Sequence, residues 1–137
     1  AKLAEKLEAM KKRKSKLVDP LQYELSIQSQ DLSGYVPAFG WESNPPTAQQ
    51  KKDLEKRGIN PDAVESAGKA EQILRAVAQR QQSGLATPKQ IRCLEKYGFQ
   101  HVGGWKFDAA KNLINRIAAN GWRVPNSITA SEYIPEG

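Results

Sequence analysis

The chain is poor in the residues from which most buried chemistry is built. Its 137 residues include one cysteine, Cys93, and one histidine, His101. A lone cysteine excludes an internal disulfide, and its place in a helical pattern suggests a small buried thiol. Together the two supply too few ligands for a zinc site made of Cys and His, and the carboxylates are scattered, so no metal is expected. No apolar run approaches the roughly 20 residues of a bilayer-spanning helix, and no secretory signal pattern opens the sequence. No membrane partner is expected, and the expected compartment is the cytoplasm.

Catalytic motifs are missing too. "AGKAEQ" (67–72) contains a Gly-Lys, but a phosphate loop needs glycine at Ala63 and Ser or Thr at Ala70. His101 stands in a loop beside Val102 and two glycines, with no Ser, Cys or carboxylate at a recognisable spacing. Neither catalysis, a cofactor nor a small-molecule substrate is expected.

What the chain does have is positive charge, unevenly placed. The net charge is +6. Residues 1–46 carry seven Lys/Arg against six Asp/Glu, residues 47–125 fourteen against seven, and residues 126–137 two acids. The excess of +7 in the middle points to a polyanion such as nucleic acid, with simple solubility as the bland alternative.

That middle region states one unit twice. A shift of 40 residues (87 − 47) aligns 47–80 with 87–120 without a gap. Thr47/Thr87, Gln50/Gln90, Leu54/Leu94, Glu55/Glu95, Lys56/Lys96, Gly58/Gly98, Ala70/Ala110 and Ala78/Ala118 are identical, and the apolar positions 73, 74 and 77 match 113, 114 and 117. In each copy Thr followed three residues later by Gln is a capping box. Pro88 suits a first helical position, and Gly58 or Gly98 stops the helix with Ile59 or Phe99 as the apolar contact. Helices are predicted near 47–57, 67–81, 87–97 and 107–120, with Gly84 and Gly121 closing the second of each pair. Trp105 and Trp122 are expected to fill the seam between copies. The expected fold is all-α: tandem duplicated helix–loop–helix units, 47–84 and 85–125, after a helical and irregular linker (1–46) and before a flexible tail (126–137).

The linker has its own pattern. "AKLAEKLEAMKKRKSKL" looks helical, with Leu3, Leu7 and Met10 at spacings of four and three. It starts without a cap or initiator Met, as expected of a cut inside a longer protein. "KKRKSK" reads as a nucleic-acid or targeting patch or as a solvated helix end. Asp19-Pro20 opens a short helix, with Leu21, Leu25 and Gln28 to Leu32 following one face. "SGYVPAFGWESNPP" (33–46) is too rich in Pro and Gly for long regular structure, but Tyr35, Phe39 and Trp41 can dock onto something.

Candidate contact residues follow from helical rotation of about 100° per residue. Lys52 and Lys56, like Arg92 and Lys96, point about 200° away from Leu54 or Leu94, so burial of the leucines exposes them. Lys89 extends the second copy to a stripe of Lys89, Arg92 and Lys96, where the first has Gln49. Glu55 and Glu95 lie beside these cations and weaken them. Lys106, Lys111, Arg116 and Arg123 add charge to the same copy, and Trp105 is a candidate for stacking on a base, with core filling as its competing use.

"TPKQIRCLEKYGF" and "WKFDAAKNLINRIAANGWRVP", preceded by "VDPLQYEL" and "YVPAFGWESNPPT", resemble the C-terminal region of phage- and mobile-element-type DEAD/DEAH-box helicases. These superfamily 2 proteins are often labelled type III restriction enzyme helicase subunits. The resemblance covers nearly the whole chain and is most specific in 35–47 and 87–125. It implies an accessory domain after an ATP-binding, hydrolysing motor of the same chain. The Walker and DEAD-type motifs are absent, so none of the motor's catalytic residues carries over. The layout also looks like small DNA-binding modules of the SAP type, an analogy of fold only. The expected role is non-catalytic binding of a nucleic-acid backbone, DNA before RNA. The alternative is a protein-interaction or self-association module anchored on Tyr35, Phe39 and Trp41.

Overall fold

The computed structural model describes residues 2–38 and 40–135, apart from the side chains of residues 10–15, 30 and 31. Phe39, Met10 and most of the KKRKSK side chains therefore lie outside the described residues. The fold is all-α. Among the described residues the helices are α1 (Lys2–Ser15), α2 (Pro20–Ile27), α3 (Gln30–Ser33), α4 (Ala48–Lys56), α5 (Ala67–Gln82), α6 (Pro88–Lys96) and α7 (Phe107–Ala119), with three short 3-10 turns. Among the described residues, extended pairing is limited to two isolated bridges, Val18 with Ile59 and Leu85 with Lys106.

The caps written in the sequence are made. Thr47 Oγ1 accepts from Gln50 N at 3.1 Å while Gln50 Oε1 accepts from Thr47 N at 3.0 Å. Thr87 and Gln90 do the same at 3.2 and 3.0 Å. Each glutamine also uses its amide nitrogen to reach the start of the next helix, Gln50 donating to Ala67 O and Gln90 to Phe107 O. At the other end Gly58 (φ +84°) and Gly98 (φ +94°) take the left-handed turn. Ile59 N and Phe99 N then return to Leu54 O and Leu94 O at 2.9 and 3.2 Å.

Entry to the second helix recurs as well: Ala67 N donates to Asn44 O at 2.7 Å, and Phe107 N to Gly84 O at 2.8 Å. One bond has no counterpart. Ala86 N donates to Trp105 O at 2.9 Å, but Pro46 stands at the matching place and has no N–H to give.

One cluster unites the two copies, with Leu54, Ile59, Ile73 and Val77 from the first and Ile91, Leu94, Phe99, Leu113 and Ile117 from the second. It also extends past both expected boundaries. Val18, Tyr23 and Leu32 belong to it, and Ile128, Ala130 and Tyr133 pack against it. Three residues of the N-terminal stretch, Val18, Tyr23 and Leu32, thus enter the core. The C-terminal stretch is docked, because Tyr133 meets Phe99 and Trp105 edge-on with ring centroids 5.6 and 5.7 Å apart.

The face that α2 buries is set by the structure, and two further expectations are corrected. The buried face of α2 carries Pro20, Tyr23 and Glu24, while Leu21 and Leu25 are each 62% exposed. The helix ends at left-handed Gln28 instead of running on to Leu32. Trp105 fills the seam as expected, but Trp122 follows Gly121 with a left-handed backbone (φ +62°) and is 57% exposed. Its carbonyl, not its ring, joins the fold, accepting from Tyr97 Oη at 3.1 Å.

Candidate nucleic-acid interface

Leu54 and Leu94 are fully buried, which fixes the rotation of α4 and α6 about their axes. Lys52 and Lys56 on α4, and Lys89, Arg92 and Lys96 on α6, are accordingly exposed. Glu95, expected to weaken the α6 stripe, also bonds α2: its carboxylate oxygens accept from Ser26 Oγ at 2.8 Å. Among the described residues none of Lys52, Lys56, Lys89 and Lys96 forms an ion pair.

Lys106, Lys111, Arg116 and Arg123 are exposed too. Lys111 and Arg116 are five apart on α7, hence about 140° apart around it, and cannot lie in one stripe. Trp105 is withdrawn from the candidate contacts, since it is only 6% exposed and packs edge-on against Phe99 and Tyr133.

The fold assembles something the repeat alone does not spell out. A groove of about 620 Å³ runs where the end of α4, the end of α5 and the start of α6 and α7 meet, and Lys56, Arg57, Arg80 and Lys89 line it. Lys89 reaches it by lying across the end of α4: a Cβ at Gly58 would stand 2.8 Å from the Lys89 Cγ and Cε. Cations of the two copies, Lys56 and Lys89, thus share one groove. Sequence reasoning passed over Arg57 and Arg80, which occupy no matching cationic positions in the second copy (Tyr97 and Asn120). The available signal was their place in the last turns of two helices that must converge.

Arg80 forms the floor. Its Nη2 donates to Gly103 O at 2.6 Å and to Ala86 O at 3.4 Å, tying α5 to the loop before α7. Its Nε is buried without a hydrogen bond, as is the Tyr23 hydroxyl. Burial pushes the Tyr23 phenol above its ordinary value, and the Arg80 guanidinium beside it offsets part of that rise. Burial likewise raises the thiol of half-buried Cys93, with Lys96 acting against it. That is the behaviour of a packed thiol, not of an activated nucleophile.

Other chemistry finds little to stand on. Among the described residues no group of three His, Cys, Asp or Glu is placed to hold a metal ion. No described helix is long and apolar enough to cross a membrane. His101 is exposed, in a left-handed conformation that opens a 3-10 turn. Gly68 of the rejected phosphate-loop segment is inside α5, covered by the Tyr35 hydroxyl. No protein-family model, curated protein or solved structure matches the chain.

Proposed function

We propose that this chain is a non-catalytic, nucleic-acid-binding accessory domain of an ATP-dependent helicase, working beside its motor in the cytoplasm. It grips the phosphate backbone, DNA in the first instance, through Lys89, Arg92 and Lys96. The observation that carries this reading is the exposed stripe of Lys89, Arg92 and Lys96 on α6. Lysines and arginines on one helix face meet phosphates without reading bases, so binding is modest in strength and largely independent of sequence. The helicase assignment rests on the resemblance of the 35–47 and 87–125 segments alone.

Anisotropy of labelled single- and double-stranded oligonucleotides at low salt tests the reading. Reversal of Lys89, Arg92 and Lys96 to Glu abolishes binding while circular dichroism stays helical. A folded triple mutant that binds like the wild type moves the site elsewhere.

A second reading has its own observation. Leu21 and Leu25 on α2 and Trp41 are apolar and exposed, as an anchor for another protein or a second copy would be. Association through those residues is nearly indifferent to salt, whereas backbone binding weakens steeply as salt rises. Absence of any nucleic-acid binding at low salt favours this second reading.

A further inference from the structure

Building on the nucleic-acid reading, we propose that the groove between the two copies holds one unpaired nucleotide, its phosphate on Lys56, Arg57 and Lys89 and its base against Phe107. The domain is then a reader of single strands and not merely of polyanions.

Charge comes first. Four cations line the groove against one carboxylate, Asp108, and among the described residues none of the four is in an ion pair. Arg57 uses one nitrogen on Gln81 at 3.0 Å, which leaves the rest of its fork unspent. Among the described residues Arg80 hydrogen-bonds two neutral carbonyls and is in no ion pair, so its charge is positioned but not cancelled. In a partly enclosed groove such a charge acts over a lower effective dielectric than at an open surface. A dianionic or monoanionic phosphate is the complement, and Asp108 marks the side from which it is repelled.

Size and shape come second. The volume of about 620 Å³ falls in the range that encloses a small organic ligand. It accommodates a nucleotide but not a duplex, whose bases stay stacked and paired out of reach. A duplex lying on the α6 stripe offers the groove only phosphate at its rim.

The ring decides between polyanions. Phe107 lines the groove, remains 40% exposed, and is fixed through its backbone by Gly84 O and Gln90 Nε2. An aromatic face beside a basic track is the combination that holds unpaired bases, since every base has a π-face and stacks without regard to sequence. An acidic peptide gains nothing from the ring.

The full chain separates these outcomes in one titration series with an oligothymidylate, a duplex of equal length and polyglutamate at the same salt. The wild type binds the single strand more tightly than the duplex. Phe107→Ala lowers single-strand affinity about tenfold and leaves duplex affinity unchanged. Phe107→Leu, which keeps the apolar volume at the start of α7, shows the same loss, and Phe107→Trp restores binding. Folded Phe107 variants with wild-type affinity for the single strand overturn the groove inference while leaving backbone binding intact. Polyglutamate binding as tightly as oligothymidylate reassigns the groove to an acidic peptide. Failure of every oligonucleotide to bind removes the nucleic-acid reading itself.

Discussion

Lys69 on α5 donates to Glu24 on α2 at 2.9 Å, and the same ammonium bonds the Leu32 carbonyl. The acid is almost wholly buried, so the pair is what allows a carboxylate to face the core from α2. Glu24→Ala leaves the lysine with half its partners and is expected to cost about 3 kcal/mol in a chemical denaturation. Replacing both partners, Glu24→Leu with Lys69→Met, removes the desolvation cost along with the attraction and recovers most of that loss. A double variant as unstable as Glu24→Ala would show that packing of α2, not the unpaired charge, sets the cost.

The Tyr23 hydroxyl, buried against Arg80 without a hydrogen bond, gives an alkaline signature. Its pKa in the folded chain is raised from the ordinary 10.0, so the unfolded chain gives up that proton first as pH rises. The stability it contributes is complete below pH 10.0 and is lost as pH climbs toward the folded value. Tyr23→Phe keeps the ring and removes the orphan oxygen. It is expected to be neutral or stabilising near pH 7 and to flatten the fall in stability above pH 10.0. Cys93 titrates in the same sense from 9.0, so the comparison is made between wild type and Tyr23→Phe with the thiol present in both. An unchanged alkaline limb would place the titration elsewhere.

The caps predict a graded series. Thr87→Ala removes the acceptor of a closed capping box and costs about 1 kcal/mol. Gly98→Ala forces a Cβ into a left-handed position with ordinary room around it, about 1 kcal/mol more than a residue at ease. Gly58→Ala carries the same backbone strain and also displaces the Lys89 stem, so its melt falls below that of Gly98→Ala. Equal melting temperatures for the two glycine variants would mean that Lys89 moves aside freely.

How much of this was readable in advance depends on distance along the chain. Helix ends are local: the Thr-Gln boxes and the Gly stops lie within one turn of the bonds they make, and the sequence placed α4 and α6 within a residue. The inward face of α2 was not legible, because a glutamate turns to the core only where the lysine 45 residues later neutralises it. Trp122 was misread for a similar reason. Its size argued for the core, but its left-handed backbone after Gly121 turns the ring outward. The groove depends on α4, α5, α6 and α7 converging, and no periodicity within a single helix announces Arg57 beside Lys89.

The docked C-terminal stretch is testable through Tyr133. Its ring meets both Phe99 and Trp105, and it closes the aromatic cluster from outside. Tyr133→Ala is expected to cost about 2 kcal/mol through the two edge-on contacts and the area they cover. It also wets Trp105, seen as a red shift of the tryptophan emission. Since Trp41 and Trp122 are already exposed, the shift belongs to Trp105. Wild-type stability in Tyr133→Ala would return the residues after 125 to the role of a loose tail.

Salt dependence separates Lys52 from Lys56, which the sequence treats as a pair. Both are exposed, yet only Lys56 lines the groove with Lys89, while Lys52 lies one turn back along α4. On duplex DNA the α6 stripe alone makes about three phosphate contacts, for a slope of log affinity against log salt near −2.7. If the rim of the groove adds a phosphate, the slope steepens by about 0.9, and Lys56→Gln takes that increment away. Lys52→Gln leaves the slope as it was. The expected result is therefore two charge-neutralising changes four residues apart, with equal effect on net charge and different effect on counterion release. Equal slopes for both variants would show that only overall charge matters, and that phosphates do not approach the junction of the two copies.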